Sequence, residues 1–459
     1  MNYEQAVGRL LALGRELAAP QQARVQKFDL ENIRTLSDGL GNPHLARPCA
    51  HIAGTNGKGS TAAMLDSILR AAGLRTGLYT SPHLERINER IRINGEPIAD
   101  ADFAAAYERV QAVIEAGLAS GKPRAHPTYF ECLTAMAYDV FARNPLDFAV
   151  YEVGMGGRLD ATNIVEPEVA ILTQIDFDHE NFLGHSLEQI AAEKAGIIKP
   201  GSWVVSSAER PEARAVIARR CQQQGARLVE VDSAWHIESL HVEHGCCRAT
   251  AVPNGSHEKI ELNLPLPGRF QLRNALAAAT AARLLAEKGF PVGNEATERG
   301  IAMVRWPGRL ERLAEHPAVF LDGTHNPAGA RELLEFWEEN FPGSAIILVY
   351  GAMRDKAVDE IAGLLFPRAE MVVITEPRQP RAISARLLAE MAGHLARKFV
   401  VVSDPVEALR YALEIAQPED AIFATGSLYL VGDLRGQGAK LAQAAAPTVR
   451  VAGTSSFHP

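Results

Sequence analysis

The chain has 459 residues, 47% hydrophobic and 22% charged, and is too long for one comfortable core, so two or three domains are expected. A net charge of −8 with no basic stripe argues against nucleic acid. No apolar run approaches the roughly 18 residues that a membrane helix needs, which argues against a membrane protein.

Residues 1–17 mix charge with apolar residues at helical spacing and lack a signal-peptide core. From about residue 48 to 231, short β-branched runs alternate with helical patterns. Buried strands are expected at 50–53, 148–153, 169–175 and 203–206, with helices at 58–72, 100–119, 128–143 and 187–195. Such alternation predicts an α/β fold whose parallel sheet is covered on both faces. Residues 235–264 read as a small antiparallel insertion, and an alanine-rich helix follows at 272–288. A second series has strands at 318–321, 345–350, 371–375, 399–402 and 421–424, and helices such as 331–340 and 384–396. It predicts another doubly wound unit, entered through 293–308. The expected domains are 1–300 and 301–443, with 444–459 a flexible tail of small and polar residues. Two such units place a substrate cleft between them. Five cysteines (Cys49, Cys132, Cys221, Cys246, Cys247) form no CxxC pair, which suits a reduced, cytoplasmic setting.

The segment His51-Ile-Ala-Gly-Thr-Asn-Gly-Lys-Gly-Ser60 follows a strand and opens a helix. Glycines let backbone N–H groups approach phosphate oxygens, and a helix N-terminus favours negative charge. Thr55, Asn56, Gly57, Gly59 and Ser60 would then line a nucleotide's phosphates, with Lys58 as the mobile cation. The loop departs from the Walker pattern: Ile52 replaces its first glycine, and Gly59 replaces the hydroxyl after the lysine. Mg²⁺ must therefore use Ser60 or find oxygen elsewhere, and the nearest candidate is the loop Thr80-Ser81-Pro82-His83-Leu84 after a strand at 76–79.

GTNGKGS followed by TSPHL resembles the Mur-ligase superfamily, in its dihydrofolate synthase/folylpolyglutamate synthase branch. The resemblance recurs in order at YEVGMGGRLD (151–160), DFDH (176–179), EKAGI (193–197), 271–275, PGR (307–309) and LDGTHN (321–326), and weakly over about 27–432. It implies an N-terminal P-loop ATPase domain with a parallel sheet and a smaller Rossmann-like C-terminal glutamate ligase domain. Implied cofactors are ATP as co-substrate, Mg²⁺, a monovalent cation and a carbamylated Lys194. Metal roles fall on Ser81, Glu152 and His179, although His179 by itself reads as a surface or helix-capping residue. Lys194 by pattern alone is a solvated helix lysine. Nucleotide roles fall on Asn274 (adenine), Arg309 and Asp322 (ribose); alone, Asn274 is a cap or core amide and Arg309 a surface cation. The pterin end is implied near Pro82, His83, Thr128, Phe130, Arg158 and Asp160. Tyr129 and Phe130 also read as core, and Asp160 as a helix cap.

The resemblance implies ligation of L-glutamate to dihydropteroate, giving dihydrofolate, and to tetrahydrofolate, giving folylpolyglutamates. A carboxylate is a poor electrophile, so the γ-phosphoryl group of ATP would first convert it to an acyl phosphate, with Lys58 and the metals neutralising charge. His325 or a metal-bound oxygen would serve as general base. The partners implied are small molecules, and a monomer is expected. The alternatives are a folylpolyglutamate synthase alone or another Mur-type amino-acid ligase. A cell-wall ligase is disfavoured by Gly59-Ser60, TSPHL and NERIRING (88–95), and by a phosphate loop too early to follow a uridine-nucleotide domain. A P-loop switch would carry a guanine-reading NKxD motif, and none occurs. A dead scaffold would have lost one of Lys58, Glu152, His179 or Lys194.

Overall fold

A computed structural model describes residues 1–14, 29–119, 121, 126–354 and 356–445. Two compact units divide it: Met1–Pro307 with Arg331–Phe336, and Gly308–Ala330 with Trp337 to the end of the described residues.

In the first unit the strands are β1 (Cys49–Ala53), β2 (Thr76–Tyr79), β3 (Ile91–Ile93), β4 (Glu96–Pro97), β5 (Phe148–Glu152), β6 (Val169–Leu172), β7 (Trp203–Ser206) and β8 (Arg227–Glu230). They form one sheet in the order β4-β3-β2-β5-β1-β6-β7-β8. The six from β2 to β8 in that order run parallel, and β3 and β4 add an antiparallel edge. Strand alternation sends side chains to opposite faces. Val150 joins Ile52, Ile171 and the helices Lys58–Ala71 and Phe270–Glu287 on one face. Its neighbours Ala149 and Tyr151 face the helices Asp100–Ala119 and Tyr129–Arg143. Both faces are thus covered, which is why these strands read as unbroken apolar runs.

A separate three-stranded antiparallel sheet follows the expected insertion: β9 (Trp235–Glu243), β10 (Cys246–Pro253) and β11 (Ile260–Asn263), in the order β11-β10-β9. The helix Asn294–Met303 belongs with the first unit. Ser67 Oγ donates to Gly300 O at 2.6 Å, and a Cβ on Gly300 would lie 2.4 Å from Ile68 Cα, so only glycine permits this approach. The break between units accordingly falls at Pro307/Gly308.

The second unit carries β12 (Glu311–Glu315), β13 (Ala318–Leu321), β14 (Ile346–Tyr350), β15 (Met371–Ile374), β16 (Phe399–Val401) and β17 (Ala421–Thr425), ordered β12-β13-β17-β14-β15-β16. Five strands are parallel and β12 is antiparallel. Phe320 and Phe423 stack with centroids 4.9 Å apart at the centre of its core.

Two differences from expectation concern the ends of elements. The strand expected at 169–175 ends at Leu172, because Thr173 and Gln174 turn to bind the phosphate loop. The helix Leu428–Ala445 runs past residue 444, where a tail was expected; residues 446–459 lie outside the described residues.

Candidate active site

The phosphate loop is the turn between β1 and the helix Lys58–Ala71. Gly57 closes it with φ +84°, a left-handed conformation that glycine adopts without steric cost. The loop is fastened from the side of β6. Thr55 N–H donates to Gln174 O at 2.7 Å, and Thr173 Oγ1 donates to Asn56 O at 2.6 Å. Thr55 Oγ1 donates to Asp176 O at 2.9 Å and accepts Asp176 N–H at 3.1 Å, so this hydroxyl shapes the loop. Lys58 Nζ folds over it, donating to Gly54 O and Thr55 O at 3.0 Å each.

Lys194 is not a solvated helix lysine. It ends the helix Leu187–Lys194 with 4% exposure, and its Nζ donates to Gly54 O at 2.8 Å. Two lysine amines therefore share one carbonyl oxygen behind the phosphate loop. Asn274 is also buried here. Its Nδ2 donates to Gln271 Oε1 at 3.0 Å, and a Cβ on Gly57 would lie 2.3 Å from its Oδ1. It is thus a core amide placed directly against the loop.

Ser81 and Glu152 meet beside that loop. Glu152, at the end of β5 and 4% exposed, accepts the Ser81 N–H at Oε2 (3.1 Å). Its Oε1 is 3.5 Å from where a Cβ on Gly59 would stand. A buried carboxylate with a hydroxyl-bearing residue at a phosphate loop fits a hard divalent cation that keeps several waters. Among the described residues no three His, Cys, Asp or Glu side chains cluster as a metal-binding group. His179 follows the loop after β6, with Nε2 3.7 Å from the Asp178 carboxylate. Its φ of +52° is unusual for a non-glycine residue and aims the chain into a sharp turn before the helix Glu180–Leu183.

The TSPHL loop contains a cis Ser81–Pro82 bond. Glu89 organises the residues after it, its carboxylate accepting the N–H groups of Leu84 (2.9 Å), Glu85 (3.0 Å) and Arg86 (2.8 Å). His83 Nδ1 accepts from Arg90 Nε at 2.8 Å, and Arg90 is 1% exposed. An arginine N–H can only donate, so His83 is neutral there with its proton on Nε2. Thr128 caps the helix Tyr129–Arg143 through a reciprocal pair with Glu131. Phe130 lies in the first turn of that helix, where a Cβ on Gly154 would lie 2.5 Å from its Cζ. Phe130 and the 154–160 loop are thereby brought together. Arg158 instead forms a two-bond ion pair with Glu193 at 3.0 and 2.7 Å and is 56% exposed. Asp160 caps the short turn Ala161–Ile164 and is buried, its oxygens bonded to Thr162 and Met155.

In the second unit, Asp322 follows β13. Its carboxylate accepts Leu310 N–H at 3.0 Å and Thr324 N–H at 2.9 Å, tying two loops together. Arg309 Nη1 donates to Gly308 O at 3.0 Å and lies 2.7 Å from where a Cβ on Gly323 would stand. His325 Nδ1 is 2.8 Å from Gly323 O. A carbonyl only accepts, so Nδ1 carries a proton.

Sequence reasoning missed Thr173, Asp176 and Glu89. Asp176 and Glu89 lie inside the motifs DFDH and NERIRING, but Asp176 holds Thr55 through its own backbone N–H and C=O and Glu89 binds three backbone N–H groups, contacts that no side-chain pattern displays.

Two family models match the chain: the Mur ligase middle domain over residues 52–282 and the Mur ligase glutamate ligase domain over 308–428. The dihydrofolate synthase/folylpolyglutamate synthase of Bacillus subtilis is 35% identical over 419 residues, covering 89% of this chain and 94% of that protein. A Mycobacterium tuberculosis folylpolyglutamate synthase complexed with ADP and AMPPCP superposes with TM-score 0.84 at 33% identity, covering 94% of this chain and 98% of that one. E. coli FolC in complex with DHPP and ADP gives 0.82 at 29%, covering 95% and 97%. On this combination of fold, loop geometry and similarity, the chain belongs to the Mur ligase family, in its dihydrofolate synthase/folylpolyglutamate synthase branch.

Proposed function

We propose that the chain is an ATP-dependent ligase joining L-glutamate to dihydropteroate, giving dihydrofolate, and to tetrahydrofolate, giving folylpolyglutamates. The observation that carries the reading is the grouping of Lys58, Lys194, Ser81 and Glu152 around one phosphate loop, in a chain 35% identical to a bifunctional synthase. The nucleotide's phosphates lie over the N–H groups of 55–60, where the helix N-terminus favours negative charge. Lys58 swings from Gly54 O and Thr55 O to the terminal phosphates. Ser81 and Glu152, with His179, hold Mg²⁺, which supplies charge neutralisation at the phosphates when bound. Buried Lys194 is the site of carbamylation, which would replace a second cation beside Gly54 O by an anion serving a further metal position. A monovalent cation completes the cofactors.

The substrate carboxylate attacks the γ-phosphorus and ADP leaves; the α-amine of glutamate then attacks the acyl carbon, and phosphate departs with one former carboxylate oxygen. His325 takes the amine's proton at Nε2. Asn274 serves the adenine and Asp322 the ribose, and Arg309 also contacts the nucleotide. Pro82, His83, Thr128, Phe130, Arg158 and Asp160 line or shape the pterin side. The division at about residue 300 into an ATPase and a glutamate ligase domain belongs to this reading, as do a cytoplasmic location and a monomeric state. No helix among the described residues is long and apolar enough to cross a membrane, and all five cysteines are free thiols.

The test is isotopic. Substrate labelled with ¹⁸O in its reacting carboxylate should deliver one labelled oxygen to the released phosphate. Unlabelled phosphate would rule out the acyl phosphate.

A further inference from the structure

We infer that Thr162 and His51 are positioning residues for the substrate loop: a buried chain of hydrogen bonds from His51 through Thr162 to Asp160 fixes residues 154–160 to the strand that leads into the phosphate loop. The inference rests on the reading that this loop lines the pterin side.

The chain of bonds is short and fully internal. Asp160 Oδ1 accepts Thr162 Oγ1–H at 2.5 Å and Thr162 N–H at 3.0 Å, and its Oδ2 accepts Met155 N–H at 3.0 Å. Thr162 Oγ1 lies 2.8 Å from His51 Nε2. A hydroxyl has one proton, and here it is given to a carboxylate, so the bond from His51 must be donated by Nε2–H. That sets the tautomer and leaves Nδ1 as a buried lone-pair nitrogen with no partner among the described residues. His51 and Thr162 are both 0% exposed, and burial above all, then Lys199, holds His51 down at about 3, in its neutral form.

Position gives this chain its purpose. His51 lies in β1, paired with Tyr151 of β5 and Ala170 of β6, three residues before Gly54. Met155 lies in a turn with glycine at 154, 156 and 157, which has few side chains of its own to hold it. The Asp160 bond to Met155 N–H anchors that turn beside Phe130, and Thr162 with His51 anchors Asp160 in turn. Both oxygens of Asp160 are engaged by the protein itself.

Full-length protein, wild type and with Thr162→Val or Thr162→Ser, decides the matter. Wild-type ¹⁵N imidazole spectra at neutral pH, with His51 assigned by its loss in His51→Gln, should show a neutral ring protonated at Nε2. With dihydropteroate, Thr162→Val should raise the KM for that substrate at least tenfold while the KM for ATP stays within twofold; Thr162→Ser should stay within threefold of wild type. A His51 ring protonated at Nδ1 overturns the inference. So does a Thr162→Val protein with wild-type KM, a serine variant as impaired as the valine variant, or an equal rise in the KM for ATP. Should the valine variant fail to fold, the wild-type tautomer and the serine variant still decide. A wild-type protein inactive on every folate would fail the functional reading instead, and the imidazole spectra would still judge the hydrogen-bond chain.

Discussion

Substitution of Gly57 by alanine probes the phosphate loop where backbone and packing constraints coincide. At φ +84° a side-chain-bearing residue costs about 1–2 kcal/mol. The new methyl would also stand 2.3 Å from Asn274 Oδ1, whose amide is held by Gln271. Overpacking of this kind typically costs about 1–3 kcal/mol, for a sum of about 2–5 kcal/mol. Part of that will lower the melting temperature, and part will appear as displaced N–H groups at the nucleotide site. If about 2 kcal/mol falls on nucleotide binding, affinity drops roughly thirtyfold. The assay is the KM for ATP in steady-state phosphate release, with the melting temperature measured in parallel. Gly363→Ala is the control: a methyl there would meet nothing within 4 Å, and Gly363 has no left-handed φ. It should change the KM less than threefold. Gly57→Ala with the KM for ATP within twofold of wild type would refute the placement of phosphates over this loop.

Four further outcomes follow from the site. Lys58→Ala should abolish ADP formation while thermal unfolding stays within a few degrees of wild type; near-normal turnover would remove its phosphate role. Lys194→Ala should lose most activity and regain part of it with a small added carboxylate, and gently handled wild-type protein should show the carbamate by intact mass. Glu152→Gln keeps the acceptor for Ser81 N–H but loses the charge, so its activity should require more Mg²⁺; an unchanged Mg²⁺ dependence would sink the metal assignment. His51 is lowered to about 3 in the folded protein, against about 6.5 unfolded. Between those values the unfolded chain binds a proton that the folded one does not. Stability from this group is therefore complete above pH 6.5 and falls, by up to about 1.4 kcal/mol per pH unit, as pH drops toward 3. Denaturant titrations of His51→Gln should show a correspondingly shallower loss over that window, and parallel acid limbs would contradict it.

The strands and helices of both sheets were legible because their periodicity is local: β7 and β13 begin and end where their apolar runs do. β3 and β4 escaped notice because they are three and two residues long and carry no period to read. The motifs located the phosphate loop and Glu152, since glycine, lysine and a strand-end carboxylate announce their chemistry. They could not locate what holds those residues in place. The burial of Lys194 depends on Gly54, 140 positions away in sequence, while its own neighbours look like an exposed helix. Asp160 read equally as substrate contact or cap; the structure puts it in the cap, with bonds to Met155 and Thr162. Glu89 acts through three backbone N–H groups whose convergence exists only once the TSPHL loop has folded.

The central claim is tested most directly by phosphate release from the purified protein with Mg-ATP and L-glutamate, adding dihydropteroate or tetrahydrofolate in separate reactions. A bifunctional ligase releases phosphate in a glutamate-dependent way with both acceptors and yields a product one glutamyl residue heavier in each case. Release with tetrahydrofolate alone would reduce the protein to a folylpolyglutamate synthase. No release with either, from protein that binds ATP, would contradict glutamate ligation to folates.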